Sequence, residues 1–227
     1  IYEKGAEVIG MLKRLIGDAD YARALELYFT RHDGQAATIE DWLKVFEDTT
    51  GRDLTQFKRW YTEAGTPRLT VSDDYTDGVY TLHLQQDLPP TPGQPVKGAK
   101  VIPVAVGLLN PNGDEVVPTT VLELTEARQS FRFEGLAARP VPSILRGFSA
   151  PVVLERPTTA AERAFLLAHD TDPFNKWEAG RALAKDVMAR MVLDGGGPSA
   201  DWLEALAQVV LDASLDPAFR ALCLRLP

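Results

Sequence analysis

The chain has 227 residues, with 24 basic against 32 acidic side chains and a net charge of -8, the wrong sign for a nucleic-acid footprint or a polybasic membrane patch. Apolar residues at 45% and charged residues at 25% are ordinary for a soluble globular protein, which excludes disordered, collagen-like and coiled-coil classes. The single cysteine, Cys223, excludes an internal disulfide and a cysteine-based structural zinc site, and it fits a reducing cytoplasm. The length suggests one large domain or two smaller ones. No run approaches the roughly 18 apolar residues of a membrane span, and Ile1-Tyr2-Glu3-Lys4-Gly5 places charge where a secretory signal needs apolar residues.

Three blocks follow one another, and the first, residues 1–66, reads as helical. Val8, Ile9, Met11, Leu12, Leu15 and Ile16 share one side of a 3.6-residue period that stops at Gly17. A second run carries Tyr21, Leu25, Tyr28 and Phe29 up to Asp33-Gly34. A third starts at Thr38, a capping residue with Asp41 three positions on, and buries Trp42, Leu43, Val45 and Phe46. Asp53 is the expected cap of a fourth helix bearing Leu54, Phe57, Trp60 and Tyr61, which ends at Gly65-Thr66-Pro67.

Over residues 67–157 the period falls to two. In Val79–Gln85 the side chains of Tyr80, Leu82 and Leu84 face one way, as in a half-buried antiparallel strand, with Asp77-Gly78 turning the chain before it. Pro89–Pro95 is too proline-rich for a central strand and reads as a loop. Val101–Leu109, Val121–Leu124, Phe131–Phe133, Ile144–Phe148 and Val152–Leu154 are the further strands, with a hairpin at Asn112-Gly113. Seven or so strands in this span predict an immunoglobulin-like β-sandwich. Residues 158–227 return to helical spacing. Thr158 or Thr159 caps a first helix, Trp177–Leu193 forms a longer one ended by Gly195-Gly196-Gly197-Pro198, Ser199 caps a third, and a fourth begins at Asp216-Pro217. The expected class is therefore multidomain α+β: a helical segment, a sandwich, and the start of a helical domain.

A complete catalytic site is missing from these residues. His32, His83 and His169 lie in different blocks and outside any His-Glu-x-x-His helix, so each reads as a surface or locally bonded histidine. There is no Gly-x-Ser-x-Gly elbow and no phosphate loop. Cys223 sits in an apolar run and reads as a buried small hydrophobe, while Asp73-Asp74 and Glu47-Asp48 read as solvated charge at turns or helix ends. The aromatic groups Trp42/Phe46 and Phe57/Trp60/Tyr61 have the helical spacing of core rather than of a peptide groove.

Five local sequences in order carry a resemblance. They are Tyr2-Glu3-Lys4-Gly5-Ala6-Glu7-Val8-Ile9; Tyr28-Phe29-Thr30-Arg31-His32-Asp33-Gly34-Gln35-Ala36-Ala37-Thr38; Phe57-Lys58-Arg59-Trp60-Tyr61 with Gly65-Thr66-Pro67; Phe148-Ser149-Ala150-Pro151-Val152; and Asp172-Pro173-Phe174-Asn175-Lys176-Trp177-Glu178-Ala179. Together they resemble the aminopeptidase N family of bacterial-type, zinc-dependent alanyl aminopeptidases. The resemblance implies the helical end of a thermolysin-like catalytic domain, then the β-sandwich, then the start of a helical C-terminal domain. It further implies that Tyr2 is the family's catalytic tyrosine. A phenol, with an ordinary pKa of about 10, keeps its proton at neutral pH and can donate to the oxyanion of a tetrahedral transition state. Gly5 is expected to allow a close backbone approach, and Lys4 and Glu7 to solvate the helix surface. The family's His-Glu-x-x-His helix, third ligand and Gly-x-Met-Glu-Asn segment all precede this tyrosine in an intact enzyme. The chain accordingly reads as a fragment, expected to be inactive and free of zinc by itself, whose parent binds zinc and cleaves peptides as a cytoplasmic monomer. A non-catalytic protein-interaction module is the alternative.

Overall fold

A computed structural model describes residues 2–226. The first block holds α1 (Tyr2–Ile16), α2 (Asp18–His32), α3 (Ile39–Thr50) and a short α4 (Arg59–Thr62). Gly17, at φ +84°, separates α1 from α2 in a backbone conformation that L side chains rarely adopt. At α3 the capping box forms as the spacing predicts: Thr38 Oγ1 accepts the Asp41 N–H at 3.2 Å, and the Asp41 carboxylate accepts the Thr38 N–H at 2.9 Å.

The predicted fourth helix is much shorter than expected. Asp53 Oδ1 accepts the Thr55 N–H at 2.8 Å in a local turn, and tight bonds follow from Arg59 N–H to Gln56 O and from Trp60 N–H to Phe57 O. Leu54, Phe57 and Trp60 are all buried. Their spacing of three suits the 3.0-residue turn of a tight winding, which is why the segment does not settle into a longer α-helix.

Seven strands make two packed sheets: β1 (Arg68–Thr76), β2 (Val79–Asp87), β3 (Ile102–Leu109), β4 (Glu115–Leu124), β5 (Arg128–Phe133), β6 (Val141–Ile144) and β7 (Val153–Glu155). The four-stranded sheet runs β5-β2-β1-β7 and the three-stranded sheet β4-β3-β6. All pairings are antiparallel except β1 with the edge strand β7. In β2 the side chains of Tyr80, Leu82 and Leu84 turn inward together, whereas β3 is buried on both faces because α1 packs over it. Two expectations are corrected. β4 begins six residues before Val121, and the strand placed at Ile144–Phe148 ends at Ile144. Leu145 then takes φ +61° and Arg146–Phe148 form a tight helical turn, which points the Arg146 side chain into the protein.

The last block contains α5 (Ala160–His169), α6 (Pro173–Asp194), α7 (Ala200–Leu211) and α8 (Pro217–Cys223). Thr159, not Thr158, caps α5, accepting the Glu162 N–H at 3.1 Å. The long helix α6 starts at Pro173, before the expected Trp177, because Asp172 accepts the Asn175 N–H at 2.8 Å and Pro173 occupies the first helical position. Ser199 stands at the start of α7 without a side-chain bond, and Asp216 caps α8 by accepting two N–H groups.

The core divides differently from the periodicity. Val8, Met11 and Leu12 of α1, Phe46 of α3 and Trp60 of α4 belong to one continuous cluster with Leu82, Val104 and Leu124 of the sandwich. A second cluster, around Leu167, Leu183, Trp202 and Val209, belongs to the C-terminal helices. The junction between the two combines a small apolar cluster, Leu109 with Leu166 and Ala179, and an ionic network in which Arg146, 2% exposed in its side chain, reaches Asp170 at 3.0 Å, Thr119 Oγ1 at 3.0 Å, Ser143 Oγ at 2.9 Å and Glu115. Asn175 of α6 donates to Ser143 Oγ and to Ile144 O at the same seam. No described helix is long and apolar enough to cross a membrane.

Candidate functional site

Tyr2 is the first residue of α1, and its side chain is 90% exposed. The first buried side chain of the helix is Val8. Between them the helix is held by Lys4, whose Nζ donates to Gly65 O at 2.7 Å and Thr66 Oγ1 at 3.3 Å and lies 5.9 Å from the centre of the Trp60 ring. Burial of this ammonium lowers its pKa. Lys4 is thus a tether, not the solvating residue expected of it. At Gly5 a Cβ would meet no atom of the described residues within 4 Å.

The receiving segment, residues 59–66, is fastened from several directions. Trp60 donates through its indole to Val101 O at 2.7 Å. Lys97 Nζ donates to Ala64 O and Pro89 O at 2.7 and 2.8 Å, and Gln94 exchanges bonds with Thr62 O and the Ala64 N–H. Lys100 is buried and donates to Arg59 O at 2.5 Å and Glu63 O at 3.3 Å, with Glu63 Oε2 at 3.7 Å and the Trp60 ring centre at 5.1 Å. A cation at the carbonyl end of α4 complements the helix dipole. The backbone of Lys100 is held in turn by both polar atoms of the Gln86 amide, at 2.8 Å each.

Burial pulls the Lys100 pKa down to about 8, and the Glu63 carboxylate only partly opposes this. The sign of the linkage follows. With the folded value below the ordinary 10.5, the unfolded chain holds more protons between the two, so stability rises with pH across that window and is lost as pH falls toward 8. Urea unfolding of the wild-type chain and of Lys100→Met at pH 7, 8, 9 and 10 should therefore show the difference moving in favour of the wild type as pH rises above about 8. A constant difference across the series would refute the assignment of this titration to Lys100.

The remaining polar residues do not assemble into a reaction centre. His32 packs 5.4 Å from the Tyr28 ring and His169 packs 4.8 Å from Phe165. His83 stands between Asp74 and Ser130, at 2.7 Å from each, in a cross-strand row on the exposed sheet face. Asp73 and Asp74 lie within β1 and not at a turn, and Asp73 is nearly buried against Arg139 and Arg156. Glu47 accepts the Leu54 N–H, while Asp48 pairs with Arg31 and Lys44. Cys223 is buried in α8, which raises its thiol pKa. Among the described residues, no group of three or more His, Cys, Asp and Glu side chains could hold a metal ion, so the residues present do not fit a zinc site. The cleft between sandwich and C-terminal helices has an apolar floor of Ile144, Leu154, Leu166 and Ala179, and its arginines, Arg156 and Arg163, are already paired with Glu162 and Asp186.

Three family models match in succession: a peptidase family M1 domain over residues 1–61, a domain of unknown function (DUF3458) with an Ig-like fold over 65–157, and its C-terminal partner (DUF3458_C), described as ARM repeats, over 160–227. Aminopeptidase N of Escherichia coli (strain K12) is 38% identical over 242 residues, and aminopeptidase N of Caulobacter vibrioides is 42% identical over 233. All of this chain is covered in both comparisons, yet it spans only 28% and 27% of those proteins. The crystal structure of Legionella pneumophila aminopeptidase A in complex with aspartic acid superposes with a TM-score of 0.88 at 29% identity, covering 99% of this chain and 26% of that one.

Proposed function

Because this chain belongs to the aminopeptidase N family, we propose that it is the part of a zinc-dependent aminopeptidase that contributes the oxyanion-binding phenol, Tyr2. The observation that carries the proposal is the placement of that residue. Tyr2 heads α1 within residues 1–61, the segment that the peptidase family M1 model matches. From there its hydroxyl would donate to a reacting carbonyl presented by another part of the parent. As the peptide carbonyl carbon becomes tetrahedral, negative charge collects on its oxygen, and a fixed donor stabilises that state more than the ground state. The substrates are peptides with a free N-terminus.

Zinc is implied for the parent by the family alone. Since the described residues here supply no donor set, the metal's ligands and the general base belong to other parts of the parent. The sandwich and the C-terminal helices then serve as scaffold, and an interaction module without catalysis is the reading that the test must separate.

Chelator treatment of the parent should abolish turnover of an alanyl substrate, and added zinc should restore it. The 227-residue chain alone should take up zinc only at background level after reconstitution and should release no product. Zinc-dependent turnover by the pure chain, or a parent indifferent to chelation, would overturn the proposal.

A further inference from the structure

We propose that Lys4 is a positioning residue for Tyr2, fastening the first turn of the tyrosine's helix to the β-sandwich so that the sandwich determines where the phenol points. This rests on the reading of Tyr2 as the oxyanion donor.

The first turn of α1 lies between Tyr2 and the first core residue of the helix. Here that turn includes Gly5, a residue that disfavours helix by about 1 kcal/mol relative to alanine. Among the described residues, that first core residue is Val8. Six residues at 1.5 Å each put roughly 9 Å of helix between the phenol-bearing residue and the core. A catalytic hydrogen bond tolerates far less wander, since a misplacement of about 1 Å can cost about a hundredfold in rate.

Lys4 closes that gap. Its three contacts fall on a segment that cannot easily move: Gly65 and Thr66 lead directly into β1, and Trp60 is bonded to Val101 next to β3. Lys97, Gln94 and Lys100 hold the neighbouring carbonyls of the same segment. A continuous path of short contacts therefore runs from the turn bearing Tyr2 to both sheets of the sandwich. The sandwich is then part of the positioning apparatus and more than a spacer. An ammonium suits this post because it can donate to a carbonyl and a hydroxyl while attracted to an aromatic ring, which no neutral side chain of that length does.

The test uses the full-length parent with Lys4→Met, which keeps the apolar stem, Lys4→Arg, which keeps the cation, Tyr2→Phe, and the double variant Lys4→Met/Tyr2→Phe. Lys4→Met should lower kcat by about ten- to a hundredfold with KM changed much less, and Lys4→Arg should recover most of the loss. In the Tyr2→Phe background the Lys4 substitution should have almost no further effect, because the two residues act as one unit. Hydrogen exchange at residues 5–8 should speed up by about tenfold in Lys4→Met, a readout independent of turnover. Equal losses from Lys4→Met in both backgrounds, or a Lys4→Met enzyme with wild-type kcat beside an impaired Tyr2→Phe, would overturn the positioning role alone. A Tyr2→Phe enzyme with wild-type kcat would remove the reading of Tyr2 on which it rests. Should Lys4→Met lower the Tm, Lys4→Gln is measured in its place, and the same comparison between backgrounds decides.

Discussion

In the proposed parent enzyme, Tyr2→Phe should lower kcat by roughly two to three orders of magnitude while folding and zinc content stay close to wild type. The size follows from what is removed. The substitution deletes one hydroxyl and keeps the ring, and loss of one oxyanion donor costs about 2.7 to 4 kcal/mol. Tyr2→Phe keeps the ring and its packing, so it should leave the Tm unchanged. This separates catalysis from packing: a packing residue would tolerate Phe and lose stability with Ala. KM should move much less than kcat, because the hydrogen bond strengthens only as charge develops. Measuring kcat, KM and Tm for both variants on one alanyl substrate checks the assignment, and wild-type kcat for Tyr2→Phe would defeat it.

Arg146→Met should destabilise the chain by about 3 to 5 kcal/mol, because removing one member of a buried charge network strands the others. The Asp170 side chain is 0% exposed, and burial already raises its pKa against the pull of its hydrogen bonds and of Arg146. One of its oxygens, Oδ2, has no partner among the described residues. Without the guanidinium, that carboxylate must take up a proton or open the seam to water. The double variant Arg146→Met/Asp170→Asn should consequently lose less stability than Arg146→Met alone. Gly107 belongs to the same arrangement: a Cβ there would stand 2.1 Å from the Arg146 guanidinium carbon, so Gly107→Ala displaces the arginine and should reproduce part of its loss. Urea denaturation is the measurement, and a cost below about 1 kcal/mol for Arg146→Met would mean that the network does not join the sandwich to the helices.

How legible each part was depended on whether the information is local. Helix and strand periods report which side of one element is apolar, and that was sufficient for α1, α3 and β2, for the Thr38 cap and for the helix–sandwich–helix class. The same logic failed at Leu54-Phe57-Trp60, where a spacing of three fits a tight turn as well as an α-helix, and at Leu145–Phe148, where Leu145 and Phe148 take positive φ and the turn carries Arg146 to its long-range partner Asp170. The proposal for Tyr2 came from its sequence neighbourhood by family resemblance, with no signal in composition or period.

The lysines show the limit most clearly. In the sequence Lys4, Lys97 and Lys100 are three ordinary cations, and solvation is the sound default for each. Their partners lie 61, 33 and 41 residues away along the chain, and those partners are backbone carbonyls, which every residue carries and no side-chain pattern distinguishes. The sequence by itself determined the helix–sandwich–helix class and most of its elements. Only the tertiary structure decided that the first helical block and the sandwich share one core, that Arg146 forms an ionic seam, and that Lys4 ties the tyrosine's helix to the sandwich. Apolar periodicity is written into neighbouring residues, whereas the acceptor of a buried cation exists only once distant segments have packed together.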